Sequence, residues 1–257
     1  MPSVTRIAYG DRPQQFGDLY LPDGPDKSAT VVLIHGGFWR AQYALDLMVP
    51  LAEDLLSAGY AVWNIEYRRV AQPGGGWPGT LHDVAAAVDR LPEIATHGAP
   101  LDLQRLAFVG HSAGGHLALW SAGRSAIPAG APGAGPAVVP VIAVGQGPVV
   151  ALRQAAEQRV GNGAVVDFLD GTPETVADRY EAATPRLGAG PRMVAVVGSL
   201  DDVVPPQFSI DPDRPGAIEV VTIRGADHMV LIDPASEAWA AVRGLLETAI
   251  RSRPPAG

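Results

Sequence analysis

The sequence predicts an α/β fold: a mostly parallel sheet that opens with an antiparallel N-terminal hairpin and carries helices on both faces. Three observations predict it. Short apolar, β-branched runs recur at Thr30–Ile34, Tyr60–Ile65, Leu106–Val109, Val138–Val144, Met193–Val197 and Ile218–Ile223, and that length and composition suit strands covered on both faces. Segments with a helical apolar period alternate with them, at Leu45–Ala58, Thr80–Ile94, from Ala113 onward and at Ala235–Arg251. Residues able to do chemistry stand just after strands (His35, Ser112, Asp201), which gathers them beyond the carboxyl ends of a parallel sheet, where ligands bind in such folds.

Taken in order, Val4–Tyr9 and Phe16–Leu21 flank the turn-rich Gly10-Asp11-Arg12-Pro13 and read as the hairpin, with Pro22-Asp23-Gly24-Pro25 closing it. Leu45–Ala58 ends at Gly59, a residue suited to follow a helix C-terminus. Glu66–Pro78 is a Gly- and Arg-rich loop, and Thr80–Ile94 puts Leu81, Val84, Ala85, Val88 and Leu91 on one helical face. Ala126–Pro136 reads as a mobile surface linker. Pattern weakens from Gly147 to Pro185, with short helical pieces near Val149–Gln158 and Pro173–Tyr180; a small cap fits only within residues 148–185. The last helix ends before Arg253-Pro254-Pro255. No internal repeat or domain boundary is visible, so residues 1–257 read as one domain.

A net charge of −8 argues against nucleic acid or an anionic membrane surface as the partner. There is no cysteine, hence no disulfide or thiolate zinc site. The first residues lack a basic stretch leading into an apolar one, and no apolar run approaches the ~18 residues of a membrane span. The expectation is a soluble cytoplasmic protein, a homodimer being allowed, with no cofactor. No His/Asp/Glu cluster has metal-ligand spacing, Gly74-Gly75-Gly76 lacks the Lys-Ser/Thr of a phosphate loop, and Gly110–Gly115 is not G-x-G-x-x-G.

The chemistry centres on Gly110-His111-Ser112-Ala113-Gly114, a G-x-S-x-G between a buried strand and an Ala/Leu-rich helix. That context makes a tight turn that holds a serine hydroxyl above the sheet, with glycines where a Cβ would block the strand–helix approach. A serine hydroxyl needs a base, and the base an orienting carboxylate; in this arrangement they follow in the order serine, acid, histidine. His228, after the last strand, is the downstream histidine apart from His116, which reads as a packing residue. The acid is Asp201 or Asp202, with Asp201 nearer the strand end. An oxyanion needs N–H donors: Ala113 at the helix N-terminus, and Gly37 with Gly36 or Phe38 in His35-Gly36-Gly37-Phe38-Trp39.

With those residues in hand, the chain resembles the α/β-hydrolases over nearly its full length. His35–Trp39 resembles the His-Gly-Gly-aromatic-Trp loop of kynurenine formamidase-like esterases, neighbours of the hormone-sensitive-lipase group, and Tyr60–Arg69 and Gly75–Thr80 are similar to the same subgroup. The resemblance implies Ser112 as nucleophile, Asp201 as acid and His228 as base. Phe38 stands where the lipase group has a third glycine, which implies a tighter acyl pocket. Phe38, Trp39, Tyr67, Trp77 and His111 are candidate pocket residues, while Arg68 and Arg69 are expected to pair with nearby carboxylates. The expected function is a serine hydrolase of small carboxylic esters. The rival readings are an arylformamidase using the same residues and a catalytically silent binding module of the same fold.

Overall fold

The computed structural model describes residues 3–24, 28–188, 190–214 and 216–252. Pro25 of the expected hairpin closure and Arg253-Pro254-Pro255 lie outside them. Eight strands form one sheet: β1 (Ser3–Ala8), β2 (Phe16–Leu21), β3 (Ser28–Ile34), β4 (Ala61–Ile65), β5 (Leu101–His111), β6 (Ile142–Gln146), β7 (Arg192–Gly198) and β8 (Glu219–Ile223). Their order is β1-β2-β4-β3-β5-β6-β7-β8. The β1–β2 and β2–β4 pairs are antiparallel, and every later pair is parallel. The helices are α1 (Val49–Ser57), α2 (Gly79–Asp89), α3 (Leu91–Thr96), α4 (Ala113–Ala122), α5 (Leu152–Glu157), α6 (Val160–Leu169), α7 (Ala177–Ala183) and α8 (Glu237–Arg251).

The central strands are rich in apolar residues because each face is covered, and polar exceptions such as Thr30, Asn64 and Gln146 are themselves buried. Val32, Ile34, Leu106 and Phe108 point into a core shared with α2, α3 and α4. Their neighbours Val31, Leu33, Ala107 and Val109 point the other way, against Leu51 and Leu55 of α1 and Trp239, Val242 and Leu246 of α8. Successive side chains of a strand alternate in this manner. Helix α4 is buried along its whole length, so its sequence is apolar and small all round and shows no amphipathic stripe.

Three readings need correction. The helix expected over Thr80–Ile94 is two, α2 and α3, broken at Arg90 just before Pro92, since proline is favoured in a first helical turn and not inside one. The residues expected to be a mobile linker lie on the surface but are tethered: buried Arg124 donates to the Gly133 carbonyl at 2.6 Å and to Asp89 at 3.0 Å, and Ala137 N donates to the same carboxylate at 2.8 Å. Helix α6 escaped the pattern. Arg159, Gly161, Asn162 and Gly163 take left-handed backbone at its start, which breaks the helical period. Among the described residues no helix is long and apolar enough to cross a membrane.

Candidate active site

Ser112 links β5 to α4 at φ 56, ψ −119, a backbone conformation that is all but reserved for glycine. It is held there from several sides. Ser112 N donates to Gln146 O at 2.7 Å, and His116 N donates to Ser112 O at 3.0 Å. Gly110 and Gly114 permit the turn: a Cβ on Gly110 would strike the Gly114 backbone, and one on Gly114 would strike the backbone of Ile34 and His35. The Ala113 N–H, first of its helix, has no acceptor within the helix and carries the positive end of the helix dipole.

The structure separates Asp201 from Asp202. Asp201 is buried, and its Oδ2 lies 2.7 Å from His228 Nδ1; its Oδ1 accepts from Val203 N at 3.1 Å and Val204 N at 2.8 Å. Asp202 is exposed. A Cβ on Gly147 would lie 3.1 Å from both Asp201 Oδ2 and His228 Nδ1, so the end of β6 forms the floor of this pair. The serine turn reaches the histidine loop through His111: its Nε2 donates to His228 O at 3.0 Å and the two rings lie 4.4 Å apart. Among the described residues Ser112 Oγ makes no hydrogen bond to the His228 ring. In ligand-free sites such contacts are often long and tighten when substrate binds.

The glycine loop packs directly on the serine. A Cβ on Gly36 would lie 2.7 Å from His111 O and 3.0 Å from Ser112 Cβ. Gly37, Phe38 and Trp39 all have positive φ, at 109, 54 and 55, and two consecutive non-glycine residues in that region must be held by their surroundings. Arg40 N donates to Gly37 O at 2.9 Å and Val70 N to Trp39 O at 2.8 Å. Beneath the loop, His35 Nδ1 contacts Gly36 O at 2.8 Å, His35 Nε2 contacts Glu66 at 3.0 Å, and Tyr67 hydroxyl donates to His35 O at 2.8 Å. Burial alone would raise the Glu66 carboxyl, but the bond and charge contact with His35, Arg69 and the Tyr67 N–H outweigh it and hold it below its ordinary value. Glu66 was not singled out from sequence; the one signal was a carboxylate directly after a fully buried strand.

The expected pocket residues divide. Tyr67 and Trp39 are fully buried and line no open pocket. Tyr67 stacks on His35 at 4.3 Å between ring centres, and Trp39 stacks on Phe168 at 4.7 Å, so both anchor the glycine loop. His111 is buried too and braces the histidine loop as described. Phe38 and Trp77 are half-buried. Phe38 packs on Gly161, where a Cβ would overlap its ring, and Trp77 N donates to Phe168 O at 2.9 Å, so both face α6. Arg40 fastens α6 to the glycine loop through Asp167 at 2.9 Å. Arg68 and Arg69 pair with Asp83 and Glu66, as expected. His116 is a core residue whose Nε2 donates to Ala183 O at 2.8 Å.

Burial drives the His116 imidazole down to about 4, and burial together with the neighbouring His228 drives His111 down to about 3. Both therefore stay neutral in the folded state at pH values where the unfolded chain, near 6.5, takes up protons. Stability is complete above roughly pH 6.5 and falls as pH drops toward 4, by up to about 2 kcal/mol per histidine between pH 7 and 5. Denaturant titrations at a series of pH values measure that slope. His116→Gln keeps a donor toward Ala183 and removes one titrating group, so it is expected to flatten the slope by about half.

A mostly parallel sheet in this strand order, with a strained serine turn after β5 and a bonded Asp–His pair on the loops after β7 and β8, defines an α/β-hydrolase fold. The chain belongs to the BD-FAE family, whose model matches residues 17–211. It is 31% identical over 121 residues to a probable isoprenylcysteine alpha-carbonyl methylesterase of Oryza sativa subsp. japonica, an alignment covering 45% of this chain and 27% of that protein. The chain thus matches little more than a quarter of that relative's length. Similar solved structures include a truncated carbohydrate esterase from gut microbiota, with TM-score 0.77, 18% identity, 98% of this chain and 96% of that one covered. Another is esterase B of Lactobacillus rhamnosis bearing a tributyrin phosphonate inhibitor, with TM-score 0.76, 19% identity, and 98% and 86% covered. At these identities the two structures establish likeness of fold.

Proposed function

We propose that this protein is a serine hydrolase that cleaves small carboxylic esters through an acyl-enzyme. The observation that carries the reading is the 2.7 Å bond between Asp201 and His228 beside a serine held at φ 56. Asp201 fixes the proton on His228 Nδ1, which leaves Nε2 free to take the Ser112 proton as Oγ attacks the ester carbonyl. The Ala113 N–H, with Gly37 and Gly36 or Phe38, stabilises the oxyanion. His228 then returns the proton to the departing alcohol oxygen, the acyl–Oγ bond is left, and water activated by the same imidazole releases the acid and restores Ser112.

The rice relative and the similar structures are all esterases by name, which supports an ester in preference to a formamide. The test is two-part. A fluorophosphonate probe is expected to label folded protein at Ser112, and kcat/KM on p-nitrophenyl acetate or butyrate is expected to exceed that on N-formylkynurenine. Preference for the formamide would reverse the substrate assignment. Absence of both labelling and turnover would leave only a binding role for the fold.

A further inference from the structure

The described residues expose six large apolar side chains, and three of them flank the Asp201–His228 pair: Leu200 at 64%, Val203 at 37% and Met229 at 55%. Leu200 precedes Asp201, Val203 follows it by two, and Met229 follows His228. Single exposed apolar residues are ordinary, but half of them fall on two loops that touch each other. The loops are joined by the Asp201–His228 bond and by Leu200 N donating to Ala226 O at 2.9 Å. Each loop also turns a carboxylate onto its own backbone. Asp201 Oδ1 accepts from Val203 N and Val204 N, and Asp227 Oδ1 accepts from Met229 N at 3.0 Å and Val230 N at 2.9 Å. Those turns fix the two loops while Leu200, Val203 and Met229 remain in contact with solvent.

Which part of a substrate meets this rim follows from proton bookkeeping. The imidazole must hand its proton to the leaving oxygen across hydrogen-bond distance. The alcohol half of an ester therefore departs along the His228 side of the site, the side whose two loops carry these residues next to Asp201 and His228. The carbonyl oxygen turns to the glycine-loop N–H groups, and the acyl half takes the remaining direction, away from His228.

We propose that Leu200, Val203 and Met229 form a leaving-group subsite that selects esters of apolar alcohols, alkyl or aryl, over esters of polyhydroxy alcohols. The inference rests on the ester-hydrolase reading above. Hydroxyl groups laid against such a rim would give up water without gaining a partner. A methylene gains about fourfold when fully buried and about twofold on a one-sided rim, so butyl acetate should exceed methyl acetate in kcat/KM by about tenfold.

The test compares methyl, butyl and glycerol monoacetates, with methyl butyrate as the acyl-side control. In the wild type, butyl acetate is expected to lead glycerol monoacetate. Met229→Ser, and the triple change Leu200→Ser, Val203→Ser, Met229→Ser, are expected to bring the butyl-to-methyl ratio down toward twofold or less. Met229→Leu should keep it, and the butyrate-to-acetate ratio should not follow. Ratios cancel any general loss of active protein, and Met229→Ser alone touches one exposed side chain. If wild-type enzyme hydrolyses methyl acetate but the butyl ratio ignores these substitutions, or the acyl ratio moves in its place, the subsite is wrong. If the wild type hydrolyses no ester and does not label at Ser112, the ester reading itself has failed.

Discussion

Ser112→Ala is expected to lower kcat on short esters by ~10³-fold or more, with the protein still folded and KM changed little. The expectation follows from what the substitution leaves in place. Ser112 N remains bonded to Gln146 O, and the Cβ that packs against Gly36 is retained. Alanine must accept the same φ of 56, so the backbone strain is unchanged and only the hydroxyl oxygen is lost. Residual turnover from water, the oxyanion donors and substrate positioning sets the floor. Steady-state kinetics on p-nitrophenyl butyrate measure the loss; wild-type turnover in the variant would reject an acyl-enzyme at this residue. Ser112→Gly supplies a companion measurement. It also lacks the oxygen, but glycine adopts this conformation freely, so it should be inactive and more stable than Ser112→Ala by about 1 kcal/mol. That pairing of lost activity with gained stability marks strain retained at a functional turn.

Much of this arrangement was legible before any coordinates. Strands β3 to β7 announce themselves because a strand covered on both faces carries a run of apolar residues without alternation, as in Val31–Ile34 and Ala107–Val109, all fully buried. The serine turn was legible because Gly110 and Gly114 sit where backbone passes too close for a Cβ. What stayed hidden has physical causes. Aromatic residues in a loop announce apolar surface but not which way it faces, so Trp39 and Tyr67 read as pocket when they are anchors beneath the glycine loop. A glutamate after a strand normally meets water. Glu66 does not, because His35, Arg69 and two backbone N–H groups, those of Leu45 and Tyr67, converge on it from separate parts of the chain. The choice between Asp201 and Asp202 likewise depended on which side chain turns inward at the end of β7, a matter of one backbone step that spacing does not encode.

That inward turn gives the second large effect. Asp201→Asn is expected to lower kcat by about 10⁴-fold, and Asp202→Asn by no more than a few-fold. The asparagine has one carbonyl oxygen and one NH2 to fill two places. Two backbone donors, Val203 N and Val204 N, already converge on Oδ1, so the carbonyl oxygen takes that place. The NH2 is then left at the position of Oδ2, 2.7 Å from His228 Nδ1. Two donors cannot share that contact, so the imidazole shifts its proton to Nε2 and presents Nδ1 as acceptor. An Nε2 that already carries a proton cannot take one from Ser112. The loss is therefore one of tautomer, with shape and packing preserved, and it should fall on kcat while fluorophosphonate labelling slows in proportion. Asp201→Ala separates the two causes: it leaves Val203 N and Val204 N without their acceptor and should cost stability as well as rate. Equal kinetics for Asp201→Asn and Asp202→Asn would show that the bonded pair does not serve the reaction, since only one of the two carboxylates touches the imidazole.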